Sequence, residues 1–400
     1  MGLTVSKVSY RDKTYLKRFL EGIKSLNCTF RFWDQETLKV GSLPPEFTVE
    51  IKKPIPMADL FKSPTLALGE AYMRGDIEVE GDLFAALSQF MAALGQFKTR
   101  YRLLPRLYQM GVGVSRQKAE VQSHYDIGNE FYRLWLDESL SYSCAYFTEQ
   151  DQALSQAQRN KILYTLSKLD LAPGMTLLDI GCGWGQLLAC AAREYGVRGL
   201  GITLSREQLA ECQAMARREG LDKQLEFRLM DYRQLKESGL KFDRIVSVGM
   251  LEHVGRKNYS LYFENVDRVL KPGGLLLLHF ISGRREYPGD AWIKKYIFPG
   301  GMLPSLREIL HIAGDKDYPL LDAESLRPHY ALTLLAWREN FESHLTEIRA
   351  MFDERFVRMW RLYLTACAAS FRAGAIDLHQ LLFSKGPAPA QPLTRSRMRV

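Results

Sequence analysis

The chain has 400 residues, 46% of them hydrophobic and 25% charged, which are ordinary globular proportions that exclude wholesale disorder and call for two domains or three. A net charge of +8 points to an anionic partner, either a nucleic acid or an anionic membrane surface. No apolar run approaches the ~20 residues of a membrane-spanning helix, residues 1–15 lack the apolar core of a secretory signal, and the 6 cysteines form no CxxC pair, so a structural zinc site and a disulfide framework are not expected and a reducing, cytoplasmic setting is.

Along the chain, Pro44, Pro45, Pro54 and Pro56 cut the first 80 residues into short pieces, among which 48–51 reads as a strand and 65–73 as a helix stopped at Gly75. Between Asp82 and Glu120 there is no acidic residue, while Lys98, Arg100, Arg102, Arg106, Arg116 and Lys118 alternate with large apolar side chains. Such a stretch can lie on anionic lipid, and it can equally be an interdomain helix with a basic solvated face. Residues 111–114, Gly-Val-Gly-Val, read as a flexible joint.

Beyond residue 120 the pattern alternates between buried strands and helices. Residues 176–180 are a continuous apolar run containing Asp179, followed by Gly181, Gly183 and Gly185 and then a helical stretch through 189–192. Further strands are expected at 199–204, 225–229, 244–248 and 275–280, and Ser205 with Gln208 has the spacing of a capping box. The fold class is therefore α/β, a Rossmann-like doubly wound parallel sheet preceded by a smaller N-terminal domain. Pro387, Pro389 and Pro392, then Arg395, Arg397 and Arg399, read as a frayed basic terminus.

A glycine-rich turn between strand and helix lets backbone N–H groups approach a nucleotide-type ligand. A dinucleotide site also wants a carboxylate at the end of the second strand, where this chain has Ile202, Thr203, Leu204 and Ser205. With no such acid, and with GxGxG in place of GxGxxG, S-adenosylmethionine fits better than a nicotinamide.

The segments HYDIGNEFYRLWLD (124–137), YSCAYF (142–147), LLDIGCGWG (177–185), GITLSREQ (201–208), DRIVSVGMLEHVG (243–255), LKPGG (270–274), IFPGGMLPS (297–305), LRPHYALTLLAW (326–337) and YLTACAASFR (363–372) resemble the cyclopropane-fatty-acyl-phospholipid synthases and the mycolic acid cyclopropane synthases. The separate N-terminal part looks like the phospholipid-acting branch. The resemblance implies a docking domain with its basic linker at 1–115, a class I methyltransferase domain at 116–385 and a basic tail at 386–400. It implies that S-adenosylmethionine is held by Tyr142, Ser143, Gly181, Gly183, Thr203, Gln208, Asp231 and Tyr232, with Asp179 beside the turn. It further implies a bicarbonate ion as base, caged by Cys144, Glu252, His279, Ile281 and Tyr330. Cys367 falls in a family motif as an active-site cysteine, although its neighbours read as a buried helix, where thiols are inert.

The implied reaction adds a methylene across a cis double bond. The alkene attacks the sulfonium methyl, a carbocation forms on the chain, and a proton must leave before the ring closes. That chemistry needs a dry apolar site, a base, and π faces worth ~0.5–2 kcal/mol each; Tyr142, Tyr146, Phe147, Phe280 and Tyr330 are the aromatic candidates. Each polar candidate also has a plain reading: Gln208 as the capping box, Ser143 as a turn cap, Cys144 as a small buried hydrophobe, and His124 and His279 as structural histidines. The expected partners are a phospholipid with an unsaturated acyl chain and the anionic inner face of the membrane, with a homodimer left open. The rivals are a C-methyltransferase making branched acyl chains, a non-catalytic lipid-binding module, and a nucleic-acid methyltransferase; the last lacks its Pro-Pro-Tyr-type and prolyl-cysteine motifs.

Overall fold

The computed structural model describes residues 5–23, 25–94, 128–387 and 393–395. The basic residues Lys98 to Lys118, the 111–114 joint and His124 lie outside them.

The N-terminal part opens with α1 (Val5–Glu21) and builds a four-stranded sheet from β1 (Cys28–Arg31), β2 (Thr37–Val40), β3 (Phe47–Ile51) and β4 (Ile77–Glu80), in the order β2-β1-β3-β4. Alternation along β3 turns Phe47, Val49 and Ile51 into a core shared with Phe30 and with Leu16 and Leu20 of α1. α2 (Met57–Lys62), α3 (Pro64–Met73) and α4 (Leu83–Leu94) complete this part. The strand expected at 48–51 and the helix expected at 65–73 are both present, each beginning one residue earlier. Gly75, at φ +76°, donates its N–H to Tyr72 O at 3.0 Å and closes α3.

The larger part runs α5 (Asn129–Trp135), α6 (Leu154–Lys168), β5 (Thr176–Ile180), α7 (Gln186–Tyr195), β6 (Arg198–Thr203), α8 (Arg206–Arg218), β7 (Leu225–Leu229), β8 (Phe242–Val248), α9 (Leu251–Val254), α10 (Tyr259–Val269) and β9 (Leu270–Gly283). It continues with α11 (Ala291–Tyr296), α12 (Leu306–Asp315), β10 (Leu320–Ser325), α13 (Arg327–Ser343), α14 (Leu345–Met351), α15 (Glu354–Arg372) and β11 (Ile376–Ser384). The sheet order is β10-β11-β9-β8-β5-β6-β7; β5 to β9 are parallel, and β11 lies antiparallel to both β9 and β10. The sheet is thus the expected doubly wound one, with an antiparallel pair at one side that the apolar pattern did not reveal: β11 carries His379 and Gln380 in its middle.

β9 sorts its side chains strictly by face. Leu276, Leu278 and Phe280 pack with α10 and α12, while Leu275 and Leu277 join the core under α6, α7 and α8, and Ile281 on that same side meets a third, aromatic core. That core is built by α5, α13 and α15, with Trp135, Trp337 and Trp360 in edge-to-face contact at 5.6 Å.

Helix α15 also ties the two parts together. Arg358 donates to Tyr72 O at 2.5 Å and Ile77 O at 3.0 Å, pairs with Glu78 at 3.0 Å, and lies 4.2 Å over the Tyr72 ring. A Cβ on Gly69 would come within 2.4 Å of Trp292, so α3 approaches α11 through a position only glycine fits. Of the basic tail only 386–387 and 393–395 are described, and there Arg395 pairs with buried Asp322 at 2.5 Å.

Candidate functional site

The end of β5 sets the geometry. Gly181, Gly183 and Gly185 have φ of +85°, +54° and +86°, values that favour glycine, and Gly185 caps α7. A Cβ on Gly185 would meet Met215, Cys212 and Phe227 at 3.0–3.1 Å, whereas around Gly183 there is open space. Tyr142, Ser143, Asp179, Gly181, Gly183, Thr203, Gln208, Asp231 and Tyr232 all line a single cleft over this turn. Lys161, Trp184, Met250 and His253 line it too and were not singled out from the sequence.

The side chains are held in specific ways. Ser205 caps α8 by accepting from Gln208 N at 3.3 Å, but Gln208 does not return the bond; its Oε1 accepts from Thr203 Oγ1 at 2.8 Å. The capping-box reading of Gln208 is therefore half right, and its carboxamide belongs to the cleft. Ser143 Oγ accepts from Lys161 Nζ at 3.0 Å, and the hydroxyls of Tyr142 and Tyr363 meet at 2.8 Å. Asp231 caps the turn after β7, accepting from Arg233 N at 2.9 Å and pairing with the Arg233 guanidinium. Tyr232 has a buried hydroxyl without a hydrogen-bond partner among the described residues, and burial pushes it up to about 12. Asp179 Oδ1 is likewise buried and unpartnered; burial raises its carboxyl to about 7 against the pull of Lys161.

The second expected group lies deeper. Glu252, on α9, accepts from Ile281 N at 2.6 Å through Oε1, while its buried Oε2 has no partner among the described residues. Ile281 faces Leu378 across the β9–β11 ladder, Leu378 O accepts from Leu326 N at 2.9 Å, and Leu326 O receives Tyr330 N at 3.2 Å and Cys144 Sγ at 3.9 Å. Residues far apart in sequence are thereby gathered around Leu326. His279 sits two residue pairs along, opposite Gln380. Cys367 shares the aromatic core, but no hydrogen bond links it to the other five, and burial pushes its thiol up to about 12.

The tautomer of His279 follows from its neighbours. Thr165 gives its hydroxyl proton to Lys161 O at 2.7 Å, so the Gln380 atom 3.2 Å from Thr165 Oγ1 must be the amide nitrogen, which also lies 3.3 Å from His279 Nδ1. Nδ1 accepts, and Nε2 therefore carries the proton; it is buried and, among the described residues, unpartnered. Burial pushes His279 down to about 3, keeping the ring neutral, and lifts Glu252 to about 7.

Not every aromatic candidate reaches this region. Tyr142 and Tyr330 do. Phe280 is on the opposite face of β9 and Phe147 packs in a separate small core, whereas Tyr146 packs against the rim of the same aromatic core, stacked on His329 at 4.5 Å and tilted against Tyr164 at 4.3 Å. Tyr363, Phe298 and Trp337 border Tyr142 instead.

The sequence profile described as mycolic acid cyclopropane synthetase matches residues 114–381. The chain belongs to this family. A second profile, described as a domain of unknown function, matches residues 15–100. The chain is 41% identical to the cyclopropane-fatty-acyl-phospholipid synthase of Escherichia coli K12 over 355 residues, covering 86% of this chain and 89% of the relative. It is 39% identical over 391 residues to a probable fatty acid methyltransferase of Pseudomonas putida, covering 94% and 98%. Among solved structures, the cyclopropane synthase MmaA2 of Mycobacterium tuberculosis matches with TM-score 0.63 and 36% identity over 67% of this chain and 98% of that one. The mycolic acid cyclopropane synthase CmaA1, solved with SAH and CTAB, matches with the same score and identity. This member of the cyclopropane synthetase family is thus an S-adenosylmethionine-dependent enzyme of the methyltransferase fold.

Proposed function

We propose that the protein transfers a methylene from S-adenosylmethionine to the cis double bond of unsaturated phospholipid acyl chains, yielding a cyclopropane. The observation that carries this reading is the pairing of two sites: a cleft lined by every residue expected to hold the cofactor, and beside it a buried, aromatic-walled group in which Glu252 Oε2 and His279 Nε2 are both unpartnered.

S-adenosylmethionine, when bound, supplies an electrophilic sulfonium methyl. The glycine turn bends so that no side chain intrudes, and Thr203 and Gln208 offer neutral hydrogen-bonding groups suited to a ribose. The deeper group fits a bicarbonate ion, which would supply a base: His279 Nε2–H is a ready donor to an anionic oxygen, and Glu252 Oε2 a ready acceptor for a hydroxyl. Tyr330 and Cys144 close this group within an apolar shell that excludes water, and the rings around Tyr142 give a carbocation π faces at ~0.5–2 kcal/mol each. Neither thiol is activated, since burial pushes both Cys144 and Cys367 upward.

The N-terminal part and the basic stretch after it would hold the enzyme on an anionic membrane surface, at the cytoplasmic face. Among the described residues no helix is long and apolar enough to cross a membrane. The likeness to a probable fatty acid methyltransferase favours one second reading, in which the product is a methyl-branched chain.

The test is incubation with methyl-labelled S-adenosylmethionine and vesicles of a monounsaturated phospholipid, read by proton NMR. High-field ring protons in the labelled lipid are the expected result. Label in the lipid without them makes the protein a C-methyltransferase, and no label in the lipid removes both readings.

A further inference from the structure

Lys161 projects from α6 into the cleft with only 5% of its surface exposed. Its ammonium donates to Ser143 Oγ at 3.0 Å and, among the described residues, has no other hydrogen bond and no ion pair. Two of its three protons are therefore uncommitted at a position closed to bulk water. Burial lowers its amine, and the carboxylates of Asp137 and Asp179 act in the opposite direction without reaching it as ion pairs. Asp179 lines the same cleft beside Gly181 with its buried Oδ1 unpartnered. One wall thus presents a buried cation with spare donors, and the strand end beside it a buried carboxylate with a spare acceptor.

A ligand group that satisfies both must carry a negative and a positive charge a few bonds apart. Because Ser143 Oγ already accepts from Lys161, its own proton is free to donate. Lys161 and Ser143 together then offer two donors to one planar oxyanion, and Asp179 offers an acceptor to an ammonium. A phosphate would bring excess negative charge toward Asp179 with nothing to balance it. An α-amino-acid zwitterion matches every one of these groups.

We propose that Lys161 is the counter-ion of the α-carboxylate at the amino-acid end of the bound cofactor, acting with Ser143 while Asp179 faces the α-ammonium. The assignment rests on the reading of the cleft as the S-adenosylmethionine site.

Calorimetry with S-adenosylhomocysteine and with 5′-methylthioadenosine, which lacks the amino-acid end, tests it on the parent, Lys161→Met and Lys161→Arg. A charge-assisted hydrogen bond predicts that Lys161→Met weakens S-adenosylhomocysteine by between about 10- and 100-fold while 5′-methylthioadenosine stays within about twofold, and that Lys161→Arg recovers part of the loss. Equal loss for both ligands would make the lysine a support of the fold, and no loss for either would remove it from the site; each outcome overturns the proposal. Unchanged S-adenosylhomocysteine affinity with a raised bicarbonate requirement in turnover would give the ammonium to an inorganic anion and also overturn it. Should Lys161→Met not fold, the parent is titrated with decarboxylated S-adenosylhomocysteine, for which a similar loss is expected and undiminished affinity is fatal. A parent that binds neither adenosine ligand refutes the cofactor reading itself, which is a separate result.

Discussion

Glu252 accepts the main-chain proton of Ile281 at 2.6 Å, joining the short helix after β8 to the C-terminal end of β9. The bond commits one carboxylate oxygen to the fold and leaves the other buried and, among the described residues, without a partner. A carboxyl so placed is pushed up to about 7, where it can hold or release a proton near neutrality.

Glu252→Gln retains an oxygen for Ile281 and removes only the proton-accepting charge. Turnover should fall at least ~100-fold while the dissociation constant for S-adenosylhomocysteine stays within about threefold, and His279→Ala should behave alike. A large rise in that constant in either variant would move these residues into the cofactor site.

The same carboxyl makes stability depend on pH. Its folded pKa of about 7 lies above the ordinary 4.5, so its contribution is fully present below the ordinary value and is lost as pH rises through about 7. Asp179 acts with the same sign; His253 and His279, lowered to about 4 and 3, act oppositely, their contribution being present above their ordinary 6.5 and lost on acidification through those values. Comparing Glu252→Gln with the parent cancels the shared groups. The variant should gain roughly 2 kcal/mol relative to the parent between about pH 5 and pH 8 in denaturant titrations. A difference that is flat with pH would mean the carboxyl titrates normally.

Gly183 stands in the left-handed region with open space beside it, so a side chain there enters the cleft. Gly183→Val should weaken S-adenosylhomocysteine binding by at least ~100-fold and cost about 1–2 kcal/mol in backbone strain. Normal binding in this variant would mean the turn does not cradle the cofactor.

Arg358 holds two carbonyls and a carboxylate of the N-terminal part from a helix of the larger one. Arg358→Ala should lower the melting temperature by about 2–4 °C, since it strands several buried acceptors at once. An unchanged melting temperature would reduce this contact to a surface ion pair.

For membrane docking, the basic stretch is the part to change. Lys98, Arg100, Arg102 and Arg106 replaced together by Gln should weaken binding to anionic vesicles, each cation contributing ~1 kcal/mol under low salt. Activity on detergent-dispersed lipid should fall much less. Equal loss on both would make the stretch an interdomain strut.

Much of this arrangement was readable in advance where one signal was strong. β5, β6 and β8 are almost continuously buried runs, β7 at the sheet border alternates between buried and exposed positions, and the glycine turn marks which end faces a ligand. β1, β2 and β4 are four residues each, too short for a period to register. Phe280 was misjudged because side chains alternate across a strand: it is one residue from His279 and from Ile281, and that single step puts it in the opposite core. Lys161 escaped notice because a lysine on a helix reads as solvated; only the surrounding fold buries it. Gln208 was half misread because Thr203 competes for the carboxamide that a capping box would use.

The position of β11 has a consequence for how the molecule is made. This last strand does not lie at the border of the sheet but slots between β9 and β10, hydrogen-bonded on both sides. Until Ile376–Ser384 has emerged and docked, β9 keeps an open edge of unpaired main-chain groups, and β10 has no neighbour to join. The strands up to β9 can assemble during synthesis, yet the wall that carries His279 and Ile281 is closed only by a segment more than ninety residues downstream. Nascent or truncated chains lacking it would expose a long, apolar template for pairing with other chains, so the interval before β11 inserts is when this protein is most exposed to aggregation.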